Sequence, residues 1–310
     1  LLLNLYDFGG VNLQEDGSWM EKKAVLFLLS ADYMDAGVQE RLSVFVENGG
    51  SLLLYGRMPV MDMEGNPCTI LADRTGIHVA AELDEGKLPN LSVQPEGIWK
   101  EYAEVRVGEA QTFTADGAEV FLRAAVAGGA CGLVKQAGKG KAAILATHYI
   151  GNRRGNRQLM EYLGATCRLS EDAEHGGIFM DINANGNGEK YLHILNMDFF
   201  AKECGIWYND SELFEGRKIR LGAREALLLP LCLEIEGVKI LSSTAEILET
   251  RPGRLCFRLS QKEDVIVLEG TGLGVSGAAC RVEEREGKTY IYSLTDGRLG
   301  EDTLEIAVKN

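Results

Sequence analysis

Residues 23–59 constrain the fold most, because they predict one strand–helix–strand unit of a parallel sheet. Residues 24–29 are a continuous apolar run, which is typical of a strand covered on both faces. Residues 51–55 form a second apolar run that is bounded by glycines. Between the two runs, hydrophobic residues recur at spacings of three and four and predict a helix with one apolar face: Val38, Leu42, Phe45 and Val46.

The ends of this unit also predict where a ligand would bind. Asp32 or Asp35 is expected to cap the helix, and Gly49 and Gly50 to end it. Crossovers between parallel strands are right-handed in nearly all proteins, and ligands usually bind beyond the carboxyl ends of such strands. The crevice there is expected to hold Ser30 and Gly56 with four candidate binding residues: Asp32, Tyr33, Tyr55 and Arg57.

The hydrophobic period changes along the chain and predicts its domain organisation. Residues 78–95 carry a weak pattern and are expected to form a long surface loop. A polar stretch at residues 170–177 precedes segments with a period of two, which are typical of a sandwich. We therefore predict a flavodoxin-like, layered α/β domain over residues 1–168. All-β sandwich modules would follow it, a β-sandwich module over 169–231 and a C-terminal β module over 232–310.

Composition limits the classes of partner. The chain has 310 residues, of which 45% are hydrophobic and 25% charged, and its formal net charge is −14. Such a charge would repel nucleic acid and anionic lipid surfaces, and no apolar run approaches the roughly 20 residues of a membrane helix. We expect neither nucleic acid nor a membrane as a partner.

The cysteines and the first residue indicate the context of the chain. The seven cysteines are scattered and form no CxxC pair, which favours free thiols in a reducing cytoplasm over a disulfide framework or a metal site. The first residue is Leu1 instead of Met, and it begins inside an apparent structural element. We expect these residues to be part of a longer polypeptide.

Two motifs suggest ligands but stand in the wrong context. Asp181, Asn183 and Asn185 match the opening of a calcium loop, yet Leu192 occupies the twelfth position, where a bidentate carboxylate is needed. A hairpin turn is the simpler interpretation. The glycines of GxGxxG at residues 272–277 precede Asp296 as in a dinucleotide-binding fold, but residues 280–294 predict two strands around a Glu-Gly-Lys turn. We expect no cofactor and no metal.

A reactive thiol is the third motif considered. Cys131 lies in GGACGL, which is close to a nucleophile elbow, and His148 follows at a strand end. An elbow should lead into a helix, whereas Cys131 leads into a strand and the glycine hairpin AGKGK. No acidic residue stands two positions after His148, so a buried structural thiol is favoured and no catalytic residue is assigned.

Several aromatic residues are of a kind that stacks on sugar rings: Trp19, Trp99, Trp207 and Tyr208. Core or interface positions are the commoner role for such residues. Sugar binding is therefore kept as an alternative.

Residues 31–76 resemble a segment that lies well downstream of the catalytic barrel in bacterial β-galactosidases of glycoside hydrolase family 35, and more loosely of family 42. Three features carry the resemblance: the helix ending in ENGG, the strand SLLLYG and the passage DMEGNPCTILAD. In those enzymes the segment looks like a class I glutamine amidotransferase domain that has lost its nucleophile and serves packing or trimer formation. The β-rich remainder is similar in architecture only, where YLHILN looks like strands of the family's C-terminal modules.

The resemblance implies a function without a catalytic residue in this stretch. The family's two glutamates lie on barrel strands, and no pattern of eight strand–helix units occurs here. The chain would be the non-catalytic C-terminal portion of a cytoplasmic β-galactosidase-like hydrolase, with its first domain amidotransferase-like. Its partners would be its own catalytic barrel upstream of Leu1, identical subunits, and the carbohydrate substrate of the parent enzyme. The alternatives are a carbohydrate-binding or scaffold protein without hydrolase activity, and an active amidotransferase-like hydrolase that uses Cys131.

Overall fold

A computed structural model describes residues 5–6, 8–15, 17–22, 25–149, 153–174, 176–294 and 302–307. The chain divides into two compact units. The N-terminal unit is Phe8–Thr166, and the C-terminal unit comprises Leu1–Asp7 and Cys167–Asn310. None of the helices in the described ranges is long and apolar enough to cross a membrane.

The N-terminal unit is built on one nine-stranded sheet. Its strands are β1 (Val25–Ser30), β2 (Ser51–Gly56), β3 (His78–Asp84), β4 (Ser92–Pro95), β5 (Val105–Arg106), β6 (Glu109–Thr114), β7 (Glu119–Ala124), β8 (Ala130–Ala137) and β9 (Gly140–Leu145). Its helices are α1 (Ala36–Glu47), α2 (Ile70–Thr75) and α3 (Arg153–Tyr162), with short 3-10 helices at Ser18–Lys22 and Gly97–Trp99. The strand order is β1-β2-β9-β8-β7-β4-β5, and β6 pairs with both β8 and β3.

The predicted strand–helix–strand unit is confirmed. Strands β1 and β2 run parallel in register, with Val25 opposite Ser51 and Ser30 opposite Gly56. The side chain of Asp35 caps α1 by accepting a hydrogen bond from the amide of Val38 at 3.1 Å. The apolar face of α1 packs in one core with residues of β2, β8 and β9, which explains the spacing seen in the sequence.

The predicted fold class is wrong. Within the described residues, only the strands β1, β2 and β9 pair in parallel, while β9, β8, β7, β4 and β5 pair antiparallel. The connections explain the difference, because β8 and β9 are joined by Gly138 and Lys139 alone, whereas parallel neighbours need a crossover of about a dozen residues. The protein is mostly β, with several separate sheets, and is not a flavodoxin-like or amidotransferase-like layered α/β fold followed by sandwiches.

The C-terminal unit contains no α-helix within its described residues and carries sixteen strands. They are β10 (Leu169–Glu171), β11 (Ile178–Ala184), β12 (Lys190–Asn196), β13 (Lys202–Cys204), β14 (Ile206–Tyr208), β15 (Ser211–Glu212), β16 (Ile219–Leu221), β17 (Ala226–Ile235), β18 (Val238–Ser243), β19 (Glu246–Arg251), β20 (Arg254–Arg258), β21 (Val265–Glu269), β22 (Gly274–Gly277), β23 (Cys280–Arg285), β24 (Lys288–Ser293) and β25 (Thr303–Ala307). A 3-10 turn at Phe214–Gly216 follows β15.

One large sheet organises this unit. Its seven strands have the order β11-β12-β17-β18-β21-β24-β23, and smaller sheets join β10-β14-β15, β13-β16 and β19-β20-β25-β22. Along β12 the buried Leu192 and Ile194 flank the exposed His193, which is the alternation expected of a strand with one covered face. Strand β17 runs through residue 231, the predicted limit of the second module. The domain limits of the whole protein remain a prediction.

Candidate functional site

The predicted crevice lies at the carboxyl ends of β1 and β2 in the N-terminal unit. Asp32 and Tyr33 follow β1, and Arg57 follows β2. Gly56 has a φ of +124°, and a Cβ atom at this position would lie 2.3 Å from the carbonyl oxygen of Ser30. Only glycine fits this close approach, which aligns the two strand ends.

Asp32 and Arg57 meet in an ion pair. The Nε atom of Arg57 lies 2.7 Å from Oδ1 of Asp32. The same guanidinium donates a hydrogen bond to Glu82, and it lies 3.9 Å from Oε2 of Glu109. The hydrogen bond to Asp32, followed by the contacts with Glu82, raises the pKa of Arg57 above its ordinary value. Three carboxylates therefore surround one cation, and Arg57 is poorly suited to bind an anionic ligand.

A buried glutamine fixes this cluster from the neighbouring strand. Gln111 on β6 is 1% exposed. Its Nε2 atom donates to Oε1 of Glu82 at 2.7 Å, and its Oε1 atom accepts from the amide of Met58 at 2.8 Å. Glu82 lies opposite Gln111 in the β3–β6 register. Sequence reasoning missed Glu82, because the stretch expected as a surface loop in fact contains β3 and β4. It also missed Gln111, because only the β3–β6 register brings this residue to Glu82.

Tyr55 and Tyr33 do not join the ion-pair cluster. The Tyr55 hydroxyl lies 3.1 Å from Nδ1 of His148, and burial raises the pKa of Tyr55. Tyr33 forms an isolated backbone bridge with Met61, and its side chain is 53% exposed. The structure thus separates the four predicted binding residues into one ion pair, one tyrosine–histidine contact and one exposed ring.

The predicted environment of Cys131 is found. Its thiol is fully buried on β8, and burial raises its pKa to about 12. A nucleophilic cysteine needs a lowered pKa and partial exposure, which is the opposite environment. Cys131 continues into the β8–β9 hairpin and not into a helix.

The calcium-like motif forms a hairpin turn. Residues 185–189 connect β11 to β12, and Oδ1 of Asn185 accepts hydrogen bonds from the amides of Asn187 at 2.9 Å and Glu189 at 3.1 Å. Among the described residues, no group of three or more His, Cys, Asp or Glu side chains could hold a metal ion.

The two strands predicted after the glycine motif are found. Residues 274–277 are β22, which pairs with β25, while β23 and β24 form an antiparallel hairpin around Glu286 and Gly287. No helix follows the glycines, so the phosphate-binding geometry of a dinucleotide fold does not arise here. Asp296, whose spacing from the glycines matched the dinucleotide pattern, lies outside the described residues.

Comparison with known proteins relates the chain to carbohydrate-active enzymes. Residues 1–113 match the family model for the GLMA-like second domain. The chain is 28% identical to an exo-β-D-glucosaminidase from Pyrococcus horikoshii over 279 residues, which are 86% of this chain and 33% of that enzyme. It is 30% identical to a β-1,2-glucosyltransferase from Ignavibacterium album over 200 residues, 62% of this chain and 25% of that protein. The chain thus spans about a third or less of these relatives.

Solved structures share the fold. A β-galactosidase from Rahnella sp. R3 matches with a TM-score of 0.59 at 14% identity, over 74% of this chain and 35% of that chain. A GH42 β-galactosidase from G. stearothermophilus matches with a TM-score of 0.52 at 17% identity, over 66% of this chain and 31% of that chain. The chain is therefore similar in sequence and fold to parts of these carbohydrate-active enzymes.

Proposed function

We propose that this chain is a non-catalytic portion of a β-glycoside-processing enzyme, and that it supports the catalytic barrel or joins identical subunits. The observation that carries the proposal is the alignment of 86% of the chain with only 33% of an exo-β-D-glucosaminidase. The rest of the parent enzyme would then supply the barrel and bind the carbohydrate substrate.

The chemistry of the crevice favours a supporting role. Retaining hydrolysis of a glycoside requires two carboxyl groups about 5 Å apart, one of which acts as an acid. Here Asp32 and Glu82 both bind the Arg57 guanidinium, so neither is an unpaired carboxyl group. The buried Cys131 offers no alternative nucleophile.

Exposed apolar side chains near the crevice support a packing surface. Leu29 lies on β1, an edge strand of the nine-stranded sheet, and is 72% exposed. Tyr33 and Met63 are also exposed. Such side chains at a sheet edge are typical of a surface that another protein segment covers.

The proposal is tested on the whole parent enzyme and on this chain alone. Nitrophenyl β-galactoside, β-glucosaminide and β-glucoside are the substrates, and they separate the galactoside suggested by the sequence resemblance from the glucosaminide of the relative. We expect the parent to hydrolyse at least one of them and the 310-residue chain to hydrolyse none. Hydrolysis by the chain alone, or a parent inactive on all three and without transferase activity, would contradict the proposal.

Two variants of the parent sharpen this test. Arg57→Met should leave kcat/KM within about twofold, because the crevice does not touch the substrate. Leu29→Asp should lower thermal stability or reduce the oligomeric state, whereas Leu248→Asp, at a comparably exposed leucine of the C-terminal unit, should not. A large loss of kcat with an unchanged KM in Arg57→Met would assign catalysis to the crevice instead.

A second candidate is a portion of a glycosyltransferase, which the 30% identity to a β-1,2-glucosyltransferase favours. The same parent enzyme would then transfer a glucosyl group to an added sugar faster than to water. Product analysis with and without glucose as the acceptor distinguishes the two activities. The seven free cysteines support a reducing compartment such as the cytoplasm for either enzyme.

A further inference from the structure

The C-terminal unit contains a cleft of about 440 Å³ on one face of its seven-stranded sheet. Its floor is a row of residues that lie opposite one another on three adjacent strands: Leu231 faces Ser242, and Ser242 faces Val267. Lys190 continues the row on β12, because it lies opposite Leu231. The floor is therefore fixed by strand register and not by a flexible loop.

The opposite wall is the segment that runs from the end of β14 through the 3-10 turn. It contributes Tyr208, Leu213 and Phe214, which also pack against the core of the unit. Phe214 is nearly fully buried, while Tyr208 is half-buried. The cleft therefore offers apolar carbon on its floor and one aromatic ring on its wall.

Charged groups of both signs lie around this apolar centre. Glu212 and Glu215 come from the wall, and Lys190 and Lys288 come from the sheet. Lys190 Nζ lies 5.1 Å from the centre of the Tyr208 ring, and Arg285 lies 3.8 Å from Glu215. Within the described part of the chain, the structure gives neither lysine a carboxylate within ion-pairing distance. Hydrogen-bond donors and acceptors are thus both available to a ligand.

The backbone around the cleft is unusual. Phe214, Glu215 and Cys232 all line the cleft and have φ values of +57°, +55° and +52°. Left-handed backbone is unfavourable for residues other than glycine, and it occurs at turns and at functional sites. Three such residues around one cleft indicate that the fold holds this backbone in conformations that the residues themselves disfavour.

We propose that this cleft binds a pyranose sugar. A pyranose has an apolar face of ring C–H groups that fits an aromatic side chain, and its hydroxyls each donate and accept hydrogen bonds. Tyr208 supplies the aromatic contact, the lysines supply donors and the glutamates supply acceptors. The glutamates disfavour a phosphorylated ligand, and a wholly apolar ligand would desolvate the lysines without replacing their hydrogen bonds.

Binding to the complete chain is measured by calorimetry and by saturation-transfer NMR. The probes are methyl β-D-glucopyranoside, methyl β-D-galactopyranoside, D-glucosamine and cellobiose. We expect at least one to bind with a Kd in the millimolar range. Glu212→Gln and Lys288→Met should each weaken that binding by about fivefold or more, because each removes a charged hydrogen-bonding group from the ligand. Lys262→Met, at an exposed lysine away from the cleft, should bind as the unaltered chain does.

A second readout needs no substitution. Cys232 is the exposed member of the seven cysteines and lines the cleft, so a bound sugar should shield its thiol. A saturating concentration of the sugar should slow the reaction of Cys232 with iodoacetamide by about threefold or more. An unchanged rate, no binding by any of the four sugars, or unaltered affinity in both cleft variants would overturn the proposal. Because only binding is measured, these outcomes are separate from the hydrolysis assays of the parent enzyme.

Discussion

The side chain of Gln39 on α1 accepts a hydrogen bond from the backbone amide of Leu71 on α2, at 3.2 Å. Its amide nitrogen also donates to the carbonyl oxygens of Met34 at 3.1 Å and Cys68 at 3.2 Å. One fully buried side chain therefore satisfies three backbone groups, which lie in the β1–α1 loop, in the β2–α2 loop and in the first turn of α2. Buried backbone groups rarely lack a partner, which makes this glutamine a structural centre of the N-terminal unit.

Replacing this glutamine should destabilise the protein strongly. Gln39→Leu keeps the size but leaves three backbone groups unpaired, and we expect a loss of about 3 kcal/mol in the free energy of unfolding. Urea unfolding followed by circular dichroism measures the loss. Gln136→Leu is the matched control, because the exposed side chain of Gln136 donates to the carbonyl oxygen of Gly138, two residues away. It should change stability by less than about 0.5 kcal/mol. Equal losses of unfolding free energy in the two variants would contradict the structural role assigned to Gln39.

A methyl group at Gly56 should separate the ends of β1 and β2. The added carbon would lie 2.3 Å from Ser30 O, and the φ of +124° is itself unfavourable for alanine. We expect Gly56→Ala to lower the free energy of unfolding by about 3 kcal/mol. Gly65→Ala tests the backbone effect alone, because Gly65 has a φ of +83° and an added methyl group would meet no atom within 4 Å. This variant should lose only about 1 kcal/mol in the free energy of unfolding.

The buried carboxyl of Asp264 should make stability depend on pH. Asp264 is 1% exposed, and burial raises its pKa despite hydrogen bonds from Thr244 Oγ1 at 2.7 Å and the Ser260 amide at 2.9 Å. Because the folded state binds this proton more tightly than the unfolded state, the contribution is greatest below the unfolded pKa of about 3.9 and is lost as the pH rises through the raised value.

The measurement compares urea unfolding of the unaltered chain and Asp264→Asn between pH 4 and pH 8. The asparagine cannot titrate, so the difference in unfolding free energy isolates this one group. We expect the stability advantage of the unaltered chain to be largest near pH 4 and to shrink toward neutral pH. An advantage that grows with pH would mean that the hydrogen bonds outweigh burial.

The thiols should differ widely in reactivity. Burial raises the pKa values of Cys131 and Cys204 to about 12, so almost no thiolate exists at neutral pH. We expect iodoacetamide to label Cys232 first and to reach Cys131 and Cys204 only after unfolding, as measured by peptide mass spectrometry. Fast labelling of native Cys131 would restore the hypothesis of a reactive amidotransferase-like thiol.

The sequence predicted the parts of the fold whose signals are local. The spacing of Val38, Leu42 and Phe45 predicts α1, and the two apolar runs predict β1 and β2. Strand β3 was not predicted, because its side chains are exposed or half-buried and give little hydrophobic contrast between the two faces of the strand. The hairpin AGKGK predicts the antiparallel pair of β8 and β9. The pairings of β6 with β3 and β8, and of β4 with β7, join segments that are distant in the sequence, and no local pattern predicts them.

The crevice shows the same limit. Alternation along β2 would put Tyr55 and Arg57 on one face, yet the left-handed backbone of Gly56 redirects the chain, and Arg57 joins Asp32 while Tyr55 lies beside His148. Glu82 and Gln111 enter the cluster through a register between strands that are far apart in the sequence. The sequence could therefore predict Asp32 and Arg57 as site residues. It could not predict Glu82, which pairs with Arg57, or Gln111, which donates a hydrogen bond to Glu82.

Strand β2 pairs with β9 in parallel, from Ser51 opposite Lys141 to Tyr55 opposite Leu145. During synthesis on the ribosome, β2 therefore emerges well before its inner neighbour exists. In the nascent β1–α1–β2 segment, the hydrogen-bonding edge of β2 that pairs with β9 stays unpaired until residue 145 has left the exit tunnel. Long-range pairing of this kind slows folding and exposes the growing chain to chaperones and to mispairing between neighbouring copies on one messenger RNA.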